Sequence, residues 1–161
     1  MYNQPTEYSS LNNVKSNTRA VRDAKMSQAG ELNAISNYIY QEIVFADYLP
    51  NLADTFEKIA LVEMKHYEIL GELIQKLGGN PAVRARVINN QFDNDFEDTE
   101  EVENTAKKAL YADIHDEEKA SADYYRLAQT SNDPAVAAIY QQISEDEAGH
   151  AALLKQTLSS L

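Results

Sequence analysis

Two of the three histidines in this 161-residue chain follow a glutamate by three positions, as Glu63-x-x-His66 and Glu147-x-x-His150. Residues three apart on a helix are neighbours on one face. Each motif therefore aims a carboxylate and an imidazole at a single point, and both motifs lie in segments that read as long helices. Two such helices facing each other in a bundle, with one glutamate from each of two further helices, make a dinuclear carboxylate metal site. The motifs thus demand four helices, and two more inward glutamates.

The rest of the chain meets that demand by repetition. Aligning Glu63 with Glu147 pairs Ile59 with Ile143, Phe56 with Tyr140, and Ile69-Leu70 with Leu153-Leu154. All these positions fall on one face of a 3.6-residue helix, so each Glu-x-x-His sits inside an apolar stripe that faces the core. An ionised carboxylate is costly there unless something compensates it. The first helix of each half carries the next glutamate. Glu31 precedes Glu63 by 32 residues, and Glu117 precedes Glu147 by 30, with Glu118 as the alternative. Face analysis favours Glu117: Tyr38 and Tyr124 follow Glu31 and Glu117 by seven residues, and Leu110, Ile114, Ser121 and Ala128 share the stripe of Glu117. Tyr38 and Tyr124 are candidate hydrogen-bond donors behind the metal carboxylates. Glu42 lies three turns beyond Glu31 on the same face and reads as a satisfied or solvent-reaching carboxylate near the bundle end. His115 lacks the pattern and reads as a surface imidazole.

Composition narrows the chemistry. With no cysteine, disulfides, thiolate zinc sites and cysteine-held iron centres are excluded. A net charge of −12 repels nucleic acid and attracts divalent cations. No apolar run approaches the roughly 20 residues of a membrane span, and the first residues, MYNQPTEYSS, lack a basic start and apolar stretch. A cytoplasmic protein without membrane or nucleic-acid partners is the expectation.

Glycine and proline divide the chain. Residues 1–18 read as a polar N-terminal tail, and 19–161 as one domain. Helices are expected over about 18–48, 52–77, 99–129 and 134–159. Gly78-Gly79 ends the second, Asp98 with Glu101 resembles a capping box for the third, and Asp133 with Pro134 opens the fourth. The connection over 80–98 is long, with a short helix expected near Val83–Val87. Short, long, short connections imply an all-α, antiparallel four-helix bundle whose second and third helices are joined by a crossover along its length.

Three segments carry a family resemblance. GELNAISNYIYQ around Glu31, LVEMKHYEIL around Glu63 and His66, and SEDEAGHAALL around Glu147 and His150 resemble helix motifs of the ferritin-like di-iron carboxylate superfamily, on its rubrerythrin and bacterioferritin side. The resemblance covers about residues 20–158 and implies a ferritin-like fold. It implies Glu63 and Glu147 as bridging ligands of two irons, Glu31 and Glu117 as terminal ligands, and His66 and His150 on one metal each. The departures bear on function. The absence of cysteine removes a rubredoxin module. Ala120 stands where many rubrerythrins carry an extra glutamate, which puts their peroxidase chemistry in question. Only 11 residues follow His150, so the fifth helix of a bacterioferritin cage is not expected. Met64 matches a haem-binding position, but the same string occurs without haem, and haem is not expected.

Four carboxylates and two imidazoles suit iron or manganese. The expected activity is Fe(II) oxidation coupled to reduction of peroxide or dioxygen, with electrons from a separate donor protein. A dimanganese catalase-like enzyme, an iron storage or delivery protein, and a helical interaction protein with a vestigial site are the alternatives. A homodimer is the expected assembly.

Overall fold

The structure is a computed structural model that describes Leu11 and residues 14–89 and 91–161. Four helices follow one another: α1 (Thr18–Phe45), α2 (Pro50–Lys76), α3 (Thr99–Thr130) and α4 (Pro134–Ser159). No strand occurs among the described residues. Each boundary has a local cause. Asn17 accepts from the Ala20 amide at 3.1 Å, Asp98 from the Glu101 amide at 2.9 Å, and Asp133 from the Ala135 amide at 2.9 Å. These bonds satisfy amides that the helix itself leaves unpaired. The Asp98 cap is half of a capping box, because Glu101 accepts from the Glu97 amide instead. Pro50 and Pro134 occupy first-turn positions, where a missing N–H costs nothing. Gly78 ends α2 with φ 91°, a backbone conformation that glycine adopts without strain.

α1 packs along α2 and α3 along α4, giving two antiparallel helical hairpins. Reciprocal bonds tie α3 to α4: Ser121 Oγ donates to the Ser144 carbonyl at 2.9 Å, and Ser144 Oγ donates to the Ser121 carbonyl at 2.8 Å. All four helices contribute to each of two apolar clusters. One gathers Leu70, Leu73, Ile74, Ile139 and Ile143 with Ala24 and Tyr124. The other gathers Phe45, Phe56, Ile59, Leu110 and Leu154 with Tyr38. Between them lies a buried polar layer.

The crossover lies along α1. Lys25 Nζ donates to the carbonyls of Asn80 and Ala82, at 2.6 and 2.9 Å. The Ile88 amide donates to Asn33 Oδ1 at 2.9 Å, and the Phe92 amide to Tyr40 Oη at 2.9 Å. Phe92 and Phe96 then pack beside Phe45, with ring centroids 6.1 and 6.2 Å away. The short helix expected near Val83–Val87 does not form; these residues have no regular secondary structure. Side chains of α1 serve the crossover's backbone, and a five-residue segment after Pro81 is too short to nucleate a helix. Leu11, within the stretch read as a polar tail, is buried in the first apolar cluster, and the Asn17 amide donates to the Leu77 carbonyl at 3.1 Å. Most of the remaining tail falls outside the described residues.

Candidate metal centre

The buried polar layer consists of Glu31, Glu63, His66, Glu117, Glu147 and His150, each no more than 4% exposed. One glutamate comes from α1, one from α3, and a Glu-x-x-His pair from each of α2 and α4. Glu117 points inward, while its neighbour Glu118 is exposed and pairs with Lys155 on α4. Helical periodicity separates the two, since a one-residue step turns a side chain by about 100°. His115 is exposed and Glu42 partly buried.

Two donor groups form. Glu31, Glu63, His66 and Glu147 make one, and Glu63, Glu117, Glu147 and His150 make the other; each offers four ligand atoms within 4.8 Å of one another. Glu63 and Glu147 belong to both. His66 Nδ1 is 2.9 Å from Glu63 Oε2, 2.9 Å from Glu147 Oε1 and 3.7 Å from Glu31 Oε2. His150 Nδ1 is 3.0 Å from Glu63 Oε1 and 3.5 Å from Glu117 Oε2. The two imidazoles lie 6.1 Å apart between centroids.

Behind these groups, the Tyr38 hydroxyl donates to Glu117 Oε1 and the Tyr124 hydroxyl to Glu31 Oε1. The bonds cross between α1 and α3 in opposite directions, as the internal repeat requires. Asp146 is a partner that sequence reasoning passed over: its Oδ2 lies 3.1 Å from His66 Nε2. A carboxylate there directs the Nδ1 face of the ring toward the donor group. Its counterpart in the repeat is Val62, so comparing the halves hides it. Asp113 was also missed. It is 2% exposed and accepts from Gln41 at 3.0 Å and Asn37 at 3.2 Å. The signal was its place four residues before Glu117 on the same stripe.

Without a cation the cluster retains protons. Burial, reinforced by the charge of Glu63, raises the Glu31 pKa to about 8, and burial beside Glu63, Glu117 and Glu31 raises Glu147 well above the carboxylate range. Burial disfavours charge on the histidines, but the facing carboxylates outweigh it. His150 rises to about 10 through Glu63 and Glu117, and His66 rises well above its ordinary value through Asp146, Glu147, Glu31 and Glu63. Burial would raise Glu63 too, yet the two histidines pull it below the usual range. Tyr38 and Tyr124 are pushed up by burial and by the glutamates they face, so both remain neutral donors.

The donor set fits a pair of divalent ions. Glu63 Oε1, Glu117 Oε2 and Glu147 Oε1 are buried oxygens without a hydrogen-bond donor. All three nevertheless lie within 3.5 Å of a histidine nitrogen. Atoms crowded together without hydrogen-bond geometry are arranged as ligands of a common ion, which binds each at about 2 Å. Four ionised glutamates balance two divalent charges, leaving the filled centre near neutral in an apolar surround.

Comparison with known proteins agrees with this architecture. A bacterioferritin of Desulfovibrio desulfuricans is 28% identical over 131 residues, covering 77% of this chain; the chain spans 65% of that relative's length. A crystal structure of the D. desulfuricans bacterioferritin, from a set capturing its diiron site in different catalytic states, shares the fold, with a TM-score of 0.72 at 23% identity. The match covers 88% of this chain and 78% of that one. No helix among the described residues is long and apolar enough to cross a membrane. The profile of the ferritin-like domain matches residues 26–161, and the chain belongs to that family.

Proposed function

We propose that the chain is a di-iron oxidoreductase that couples oxidation of Fe(II) to reduction of dioxygen or peroxide. The observation that carries this reading is the pair of buried donor groups sharing Glu63 and Glu147. The likeness to a bacterioferritin supports iron as the metal. Glu31 and His66 would hold one ion, Glu117 and His150 the other, with Glu63 and Glu147 between them. Two Fe(II) ions held there would supply, one electron each, the two electrons that cleavage of a peroxide bond takes up.

The protein's own groups do the rest. Asp146 holds His66 in register from behind. Tyr38 and Tyr124 orient the outer glutamates without carrying charge into the core. The apolar clusters close the polar layer on both sides along the bundle. Glu31, Glu147 and both histidines would take up protons when the cations leave, which offsets the buried carboxylate charge.

Anaerobic titration with Fe(II) should saturate at about two irons per chain. Adding peroxide or oxygen should then produce the absorbance of ferric protein. Absent iron binding, or binding unchanged in Glu63→Ala with Glu147→Ala, would sink the proposal. Metal analysis of protein from unsupplemented cells separates iron from manganese. The bacterioferritin likeness also admits iron storage, which needs an assembly enclosing an interior and is read by light scattering.

A further inference from the structure

A groove of about 660 Å³ runs between α1 and α3 and reaches Glu31, Glu117 and Glu147 at its floor. It follows α1 from Asp23 to Tyr38, roughly 22 Å of helix axis. Dioxygen or hydrogen peroxide needs a space closer to that of one water, about 30 Å³. The volume lies instead within the range of organic-ligand pockets, roughly 300–1,000 Å³. Met26, Ala34, Ala120 and Leu127 give it an apolar lining. Ala34 and Ala120 are small, so the groove stays open where the two tyrosine–glutamate bonds cross.

Gly30 is an independent sign that this space is kept clear. It lies inside α1, where glycine costs about 1 kcal/mol relative to alanine. A Cβ placed on it meets nothing within 4 Å, so internal packing does not require glycine. It lines the groove beside Glu31, where any side chain would take up ligand space.

Charge restricts the occupant. Asp23, Asp113, Asp116 and Asp123 line the groove against Lys119 and Arg126. Both cations engage Asp123, at 2.7 and 3.4 Å. An anionic head group is therefore repelled, while Met26, Ala34, Ala120 and Leu127 offer apolar contact to an uncharged organic body.

Resting on the proposed peroxide-reducing centre, we infer that the α1–α3 groove binds the organic part of a neutral alkyl or aryl hydroperoxide, with its O–O group at the Glu31–Glu117–Glu147 floor. The step balances as ROOH + 2 Fe(II) + 2 H⁺ → ROH + H₂O + 2 Fe(III). The O–O bond breaks, the two irons each lose one electron, and the leaving oxygen departs as water.

The experiment uses the full chain loaded with Fe(II), mixed anaerobically with cumene hydroperoxide or hydrogen peroxide, following ferric absorbance and the alcohol product. Binding of 2-phenyl-2-propanol to metal-free protein is read separately by ligand-observed NMR. Gly30→Leu should slow cumene hydroperoxide reduction about tenfold or more, abolish alcohol binding, and leave hydrogen peroxide reduction and the two-iron stoichiometry unchanged. Met26→Trp, at a position 71% exposed, fills the same groove and should act alike. Hydrogen peroxide reduction without cumene hydroperoxide reduction, alcohol that does not bind, or variants indistinguishable from the parent would each overturn the groove assignment alone. Iron that binds but is oxidised by neither peroxide would overturn the peroxide-reducing centre, and with it the hydroperoxide step.

Discussion

Asp113 shows how a buried acid reports on its surroundings. Burial outweighs its bonds from Gln41 and Asn37, and the charges of Glu117 and Asp116 on its own helix add to the effect; its pKa rises from 3.8 to about 7. A carboxyl group with a raised folded-state pKa binds its proton more tightly in the fold. Its contribution to stability is complete below about pH 4 and is lost as pH rises through 7. Asp113→Asn keeps an oxygen for Gln41 and Asn37 to donate to, but cannot ionise. In urea melts of metal-free protein, the variant should gain on the parent by a few kcal/mol between pH 4 and pH 8. An equal difference at both pH values would show that Asp113 is not a buried acid. Sequence periodicity placed the six donor residues on inward stripes because their spacing is local to each helix. Asp146 and Asp113 escaped it because each is defined by a partner on another helix, and their counterparts in the repeat, Val62 and Ser27, are not acids.

At the scale of the element, helix ends were legible to within a few residues because capping chemistry is local. Pro134 after Asp133 fixes the start of α4. The Asp133 side chain also accepts from Val136 at 3.4 Å. Asp133→Ala should destabilise the protein by about 1 kcal/mol, measured by denaturant titration of the metal-free chain, with the two-iron stoichiometry unchanged. A loss near zero would mean that solvent replaces the cap without cost. The crossover was legible in length but not in conformation. Its apparent helical stretch near Val83–Val87 is flanked by backbone groups that α1 captures: Lys25 takes the Asn80 and Ala82 carbonyls before it, and Asn33 the Ile88 amide after it.

At the scale of the whole molecule, the centre couples metal, protons and stability. Burial and the charge of Glu63 raise the Glu31 pKa to about 8, and Glu63 and Glu117 raise that of His150 to about 10 against its burial, which favours a protonated metal-free centre at neutral pH. Cations must displace those protons, and affinity should therefore rise with pH from 6 to 8, with proton release into the buffer. Calorimetry in buffers of different ionisation enthalpy measures that release. Metal at about 1,000 times its Kd should add about 4 kcal/mol to stability, a Tm increase of roughly 10 °C that a chelator reverses. Affinity that is flat with pH would contradict proton–metal exchange.

The sequence by itself determined the four helices, the six inward donors and the family, because hydrophobic period, caps and Glu-x-x-His spacing are short-range properties. Only the tertiary structure decided that Tyr38 reaches Glu117 while Tyr124 reaches Glu31, bracing the outer glutamates across α1 and α3, and that Asp146 backs His66. It also decided that small residues leave a groove between α1 and α3. These features depend on which faces of different helices meet and how closely, and no spacing within one helix encodes the distance to another.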